Sequence, residues 1–113
     1  MLRKNKTIIC KNLVFCKNFF KKSTGLMFRS RKSVNDTAWI FFFNKPTKVS
    51  VTMFFVFFII DVIFLDSKKK VIGTKTLYPW QTYTFKREIS YFIELESGTI
   101  KKYSIKKGDI LKF

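Results

Sequence analysis

Residues 49–65 read VSVTMFFVFFIIDVIFL, and whether this run crosses a membrane or folds into buried strands decides the fold. Lys48 on one side and Ser67 to Lys70 on the other give it the flanks of a transmembrane helix. Three features argue against a span. The run is at the short end of the roughly 17–25 residues that a spanning helix needs. Asp61 lies well inside it, at a cost of about 3 kcal/mol on insertion scales. Its residues are mostly Phe, Val and Ile, which suit the pleated, half-buried surface of a strand. The run therefore reads as two buried strands, Val49–Phe55 and Asp61–Leu65, with a bend near Phe57.

Downstream, Asp66 to Lys70 is a polar connection into Val71–Leu77, which makes a hairpin with the strand before it. LYPWQTYTF, residues 77–85, reads as an irregular aromatic stretch pinned by Pro79. Ile89–Leu95 reads as a core strand, Ser97-Gly98-Thr99 as the cap of a short helix reaching Tyr103, and Lys107-Gly108-Asp109 as a turn into a last strand, Ile110–Phe113. Upstream, Asn44 to Thr47 reads as a turn, because Pro46 fixes its own φ and biases Lys45 toward extended backbone. Trp39–Phe43 is a buried strand and 30–37 a loop. FCKNFFKKSTGLMF, residues 15–28, can gather Phe15, Phe19 and Leu26 on one helical face, stopping at Gly25. Lys6–Cys10 and Leu13–Phe15 are short strands, and residues 1–5 are expected to be a disordered start. No internal repeat and no linker appears. The expectation is a single domain over 1–113, mostly β (a β-rich α+β chain): a small partly closed barrel or curled antiparallel sheet with one or two short helices.

The charge balance, 23 Lys+Arg against 7 Asp+Glu, gives +16 on 113 residues, a positive field that attracts nucleic acid, anionic lipid or acidic proteins. Lys, Phe, Ile and Asn also share codons built from A and T, so biased composition is a competing origin for the charge. There is no His, which removes the commonest general base and the commonest metal ligand. Cys10 and Cys16 have no His or further Cys to complete a zinc set, so no metal and no cofactor is expected, and the pair reads as buried reduced thiols, with a disulfide left open by geometry. Lys11 and Lys17 interrupt every apolar run near the start before it reaches signal-peptide length, which favours a cytoplasmic protein.

Gly25-Leu-Met-Phe-Arg29, the apolar WIFFF of 39–43, MFFVFFIIDVIFLD of 53–66, Pro79-Trp80, YFIELESGTI of 91–100 and KKGDILKF of 106–113 occur in one order. The ordered set resembles domain-of-unknown-function family 192 (DUF192), also catalogued as uncharacterised protein family 0127 (UPF0127), from about Thr7 to Phe113. MFFV stands where bacterial members carry Met-Lys-Asn-Thr, which resembles the short archaeal-type branch. Ile59 stands where the family usually has Pro, Thr52 where related sequences have His, and Glu96-Ser97 where Pro-Ala is usual. The resemblance implies no activity.

The candidate contact residues are Arg29, Asp61, Lys21, Lys22 and Trp80. Arg29 reads either as an anion hook beside Lys21 and Lys22 or as a tie to Asp61, since a lone acid in an apolar run needs a partner. Asp61 and Asp66 are an odd number apart and face opposite sides of one strand, which argues against paired-carboxylate catalysis. Tyr78, Trp80, Tyr83 and Tyr103 lie near the Lys clusters at 68–70, 101–102 and 106–107 and make a single-strand platform conceivable. The functional expectation is a binding or accessory module rather than an enzyme, with nucleic acid or another anionic partner as the alternative, no membrane span, and an oligomeric state that the sequence does not set.

Overall fold

A computed structural model describes residues 1–16 and 29–113. The strands are β1 (Leu2–Lys4), β2 (Thr7–Cys10), β3 (Asn12–Cys16), β4 (Thr37–Thr47), β5 (Ser50–Thr52), β6 (Ile60–Leu65), β7 (Val71–Leu77), β8 (Thr82–Thr84), β9 (Ile89–Glu96) and β10 (Leu111–Lys112). A 3-10 turn, Arg31–Val34, precedes β4, and the short helix α1 (Thr99–Lys102) follows β9. The five-stranded sheet runs β3-β4-β9-β6-β7, parallel only between β3 and β4. A three-stranded sheet, β10-β1-β2, and a two-stranded one, β5-β8, are the other sheets among the described residues. The sheets are curled rather than closed into a barrel.

Both faces of the central sheet are covered, which is why WIFFF and IIDVIFL read as continuous apolar runs instead of alternating ones. One face carries Trp39, Phe41, Val62, Phe64 and Phe92, with Val49, Val51, Met53 and Phe85 from the β5-β8 side laid across it. Phe41 stacks on Phe92 with ring centroids 4.4 Å apart, and Phe64 stacks on Phe85 at 4.3 Å. The other face carries Ala38, Ile40, Ile63, Leu65, Ile93 and Leu95, covered by Leu2, Ile9, Cys10, Leu111 and Ile105.

The run that decided the fold does hold two strands, but shorter ones. β5 stops at Thr52 and pairs with β8, not with β6, and residues 53–59 leave the sheet between them. Four further expectations change. Residues 2–4 are not a disordered start: they form the middle strand of the three-stranded sheet, with Leu2 fully buried. Asn44–Thr47 is not a turn but the end of β4, whose register with β9 slips between Phe42 and Thr47; Pro46, which has no N–H to donate, sits in that slip. The stretch 77–85 contains β8, and loop 30–37 contains the 3-10 turn. The helix expected within 15–28, with its stop at Gly25, lies from residue 17 onward outside the described residues. The β6-β7 hairpin, the β9 core strand, the helix after Gly98 and the terminal strand are found where the sequence places them.

Candidate functional site

Asp61 was expected to need a cation and instead has three hydrogen-bond donors. Thr76, directly across on β7, donates its hydroxyl to Oδ1 at 2.8 Å, while the backbone N–H groups of Gly98 and Ile100 donate to Oδ2 at 3.1 and 2.9 Å. At 2% exposure this carboxylate is a buried pin between the sheet and the start of α1. Arg29 does not tie to it: the guanidinium lies over the Trp39 indole, 5.1 Å from the ring centroid, and the indole N–H donates to the Ser33 carbonyl at 2.8 Å. Lys21 and Lys22 lie outside the described residues.

The other aspartates are committed in the same way. Asp36 accepts from the Lys11 N–H, Asp66 from the N–H groups of Lys68 and Lys70, and Asp109 from the Lys106 N–H. Burial alone would raise the Asp109 carboxyl, but that backbone bond, the Lys4 ammonium at 3.1 Å and the charge of Lys106 outweigh it and hold it below the usual value. The Cys10 thiol is pushed up to about 11 by burial and by the charges of Asp36 and Glu96, which leaves it a poor nucleophile at neutral pH. No disulfide joins Cys10 and Cys16. Among the described residues no three His, Cys, Asp or Glu side chains gather as a metal site, and no helix is long and apolar enough to cross a membrane.

Glu94 is the residue that the sequence reading passed over. It sits in β9 between Trp39 and Val62 on the aromatic face, is 6% exposed, and has no hydrogen-bond or ion-pair partner among the described residues. Burial raises its carboxyl to about 8, so it is largely uncharged at neutral pH. The signal was present in YFIELE, an acid within an apolar strand, just as Asp61 is in IIDVIFL.

The candidate with the most exposed apolar surface is an aromatic corner built by residues 53–58 and 78–81. Phe54, Phe55, Phe57 and Trp80 are 49, 41, 58 and 52% exposed, and the three phenyl rings surround the indole with centroids 6.2, 5.1 and 6.0 Å from it. Met53 joins the two segments. Its carbonyl accepts from the N–H groups of Val56 and Trp80, and its own N–H donates to the Gln81 carbonyl at 2.7 Å. Gln81 returns through its side-chain oxygen, which accepts the Tyr78 N–H at 2.9 Å. Phe55 and Trp80 both hold left-handed backbone, φ 59° and 69°, a conformation that bulky residues avoid.

Trp80 and Tyr78 therefore belong to the corner, whereas the other platform candidates lie apart. Tyr83 takes the Lys75 ammonium 5.1 Å from its ring centroid, and Tyr103 takes that of Lys102 at 5.4 Å. Lys69, from the cluster at 68–70, is occupied by the terminal residue: it donates to the Phe113 carbonyl at 2.8 Å and sits 4.1 Å from that ring's centroid. Two clefts adjoin each other near α1. One of about 370 Å³ includes Cys10, Asp36, Glu96, Lys102 and Tyr103, and one of about 340 Å³ is lined by Arg31, Ile59, Glu96 and Ser97.

Residues 2–113 match the model of the family described as "Uncharacterized ACR", DUF192. The chain is 37% identical over 101 residues to a UPF0127 protein of Pyrococcus furiosus, covering 88% of this chain and 84% of that protein. It is also 37% identical over 97 residues to a UPF0127 protein of Thermococcus kodakarensis, of which it covers 60%. Among solved structures it is similar to a "putative transcription regulator" from Sinorhizobium meliloti, with a TM-score of 0.81 at 21% identity over 88% of this chain and 79% of that one. A protein of unknown function from Novosphingobium aromaticivorans superposes with a TM-score of 0.77 at 20% identity, over 89% of this chain and 74% of the other. At those identities the two structures bear on the fold alone.

Proposed function

Taking as premise that this chain belongs to the DUF192 family of UPF0127 proteins, a family without an established activity, we propose that it is a cytoplasmic binding module whose contact surface is the aromatic corner. The carrying observation is the group of four half-exposed rings, Phe54, Phe55, Phe57 and Trp80, fixed in place by the Met53 bonds. Large aromatic side chains at a contact surface contribute much area for little lost side-chain freedom, and they are the residues that most often dominate interface energetics. Left-handed backbone at two of the four costs on the order of 1–3 kcal/mol each, and such strain collects where a surface is used. Catalysis is the weaker reading, because Asp36, Asp61, Asp66 and Asp109 each accept backbone N–H groups.

The test uses a small probe that is both aromatic and anionic, 1-anilinonaphthalene-8-sulfonate. Its fluorescence should rise on the folded protein and fall by at least about fivefold in affinity in Trp80→Ala, since a buried aromatic contact contributes roughly 1–3 kcal/mol. Ile110→Ser, which removes an exposed apolar side chain from β10's approach, serves as the control and should leave binding unchanged. Equal loss in both variants would sink the reading.

A second reading, binding of single-stranded nucleic acid, is favoured by the +16 charge and by the Lys75–Tyr83 and Lys102–Tyr103 pairs. Fluorescence anisotropy of single-stranded and duplex oligonucleotides, titrated from about 50 to 200 mM salt beside a charge-matched basic protein, separates a specific preference from counterion release. Binding no stronger than that control would remove it.

A further inference from the structure

We infer that the aromatic corner is an interfacial docking tip for anionic lipid bilayers, an inference that rests on the corner being the contact surface. Residues 53–58, MFFVFF, and 77–82, LYPWQT, contain no charged side chain. A single nucleic-acid strand needs cations interleaved with the stacking rings, because each base carries a phosphate, and among the described residues the Lys–Tyr pairs lie outside the two segments that hold the exposed rings. A bilayer asks for the opposite arrangement: uncharged Phe, Trp and Tyr at the tip, entering the boundary between headgroups and acyl chains, with positive charge distributed behind them.

The tip also has a suitable shape. It is made of turns between strands, and its ring residues line neither of the two clefts. The Met53 bonds fix the rings before contact, so insertion requires no ordering of a loop. Trp80 brings an indole and Tyr78 a phenol, whose polar ends suit the headgroup level.

The corner precedes Ile60 at one end of β6, whereas Asp66 follows Leu65 at the other. Tyr91 pairs with Leu65, so Glu88 lies beyond that same far end, and Asp109 joins it there through its carbonyl's bond from the Val71 N–H. Asp61 and Glu94 are buried. Only Asp36 and Glu96 of the seven acids remain exposed toward the corner's end, while the chain as a whole carries +16. An anionic surface at the tip therefore meets few carboxylates and an attractive field.

The experiment is co-sedimentation of the full chain with vesicles of phosphatidylglycerol and phosphatidylcholine in equal parts, against vesicles of phosphatidylcholine alone, at about 100 mM salt where exposed charges are screened beyond roughly 10 Å. Binding to the anionic vesicles is expected, with a loss of at least about tenfold in partitioning for the double variant Phe57→Ser with Trp80→Ser. Trp80→Phe should keep most of it, which guards against a folding defect in the double variant. In Trp39→Phe, which leaves Trp80 as the remaining tryptophan, emission should move to the blue with anionic vesicles and be quenched by lipid brominated on its acyl chains. Undiminished vesicle binding by the double variant, no blue shift, or a Trp80 response to a single-stranded oligonucleotide but not to vesicles would each overturn the inference. If the vesicles fail while the naphthalene probe still depends on Trp80, the lipid falls and the contact surface stands; if the probe fails too, both fall.

Discussion

Glu94 and Asp61 are two acids in apolar strands, and the sheet treats them in opposite ways. Asp61 receives three hydrogen bonds, whereas Glu94 receives none from the described residues and responds by holding its proton. The sign of the pH effect follows. With a folded value of about 8 against an ordinary 4.5, the folded state binds the proton more tightly than the unfolded one. The contribution to stability is full below about 4.5, falls as pH rises through the window, and is gone above about 8. Glu94→Gln removes that slope, so the variant should gain a few kcal/mol over the parent at pH 8.5 and little at pH 4.5, as read by urea unfolding. Parallel pH profiles for the two proteins would contradict the burial of this carboxyl. Asp61→Asn should act the other way, costing about 1–3 kcal/mol: the amide oxygen can still accept from Gly98 and Ile100, but without the charge that strengthens those bonds, and the amide NH2 then meets the Thr76 hydroxyl that now donates. An unchanged urea midpoint would show that the pin is dispensable.

At the level of elements, packing sets limits that no local pattern announces. Gly73 in β7 lies under Phe85, and a methyl group there would sit 2.7 Å from the ring's Cζ, while Phe64 stacks on that same ring at 4.3 Å and restricts its retreat. Gly73→Ala should cost about 1–3 kcal/mol, and Phe85→Leu in the same chain should recover part of it in thermal melts. The strands that were legible, β6, β7 and β9, have apolar runs of strand length with turn residues between them. Those misread depended on distant partners. Residues 2–4 are held by β2 and β10, Pro46 is tolerated by a register slip against β9, and Phe54, Phe55 and Phe57 leave the core because Met53 bonds to Val56, Trp80 and Gln81. Nothing in MFFVFF says that three of its rings face outward. The choice is made by segment 78–81, some 25 residues away in sequence.

For the whole molecule, +16 on 113 residues is a self-repulsion that salt screens. Thermal stability should therefore rise between about 20 and 200 mM sodium chloride, where the screening length shortens from roughly 20 to 7 Å. A melting temperature that stays flat or falls would mean that local pairs such as Lys4–Asp109 outweigh the net charge. The same charge gave the sequence its clearest functional hint but no location, since Lys is spread along the chain. Of the described residues named as candidates from sequence, Trp80 belongs to the exposed aromatic cluster, with Tyr78 beside it in the same corner. The measurement that bears most directly on that cluster as the working surface is a map of backbone amide shifts as 1-anilinonaphthalene-8-sulfonate is added to isotope-labelled protein. Shifts concentrated in residues 53–58 and 78–81 are expected; shifts centred on the Lys clusters or on the cleft of Cys10, Asp36 and Glu96, with the corner unmoved, would contradict it.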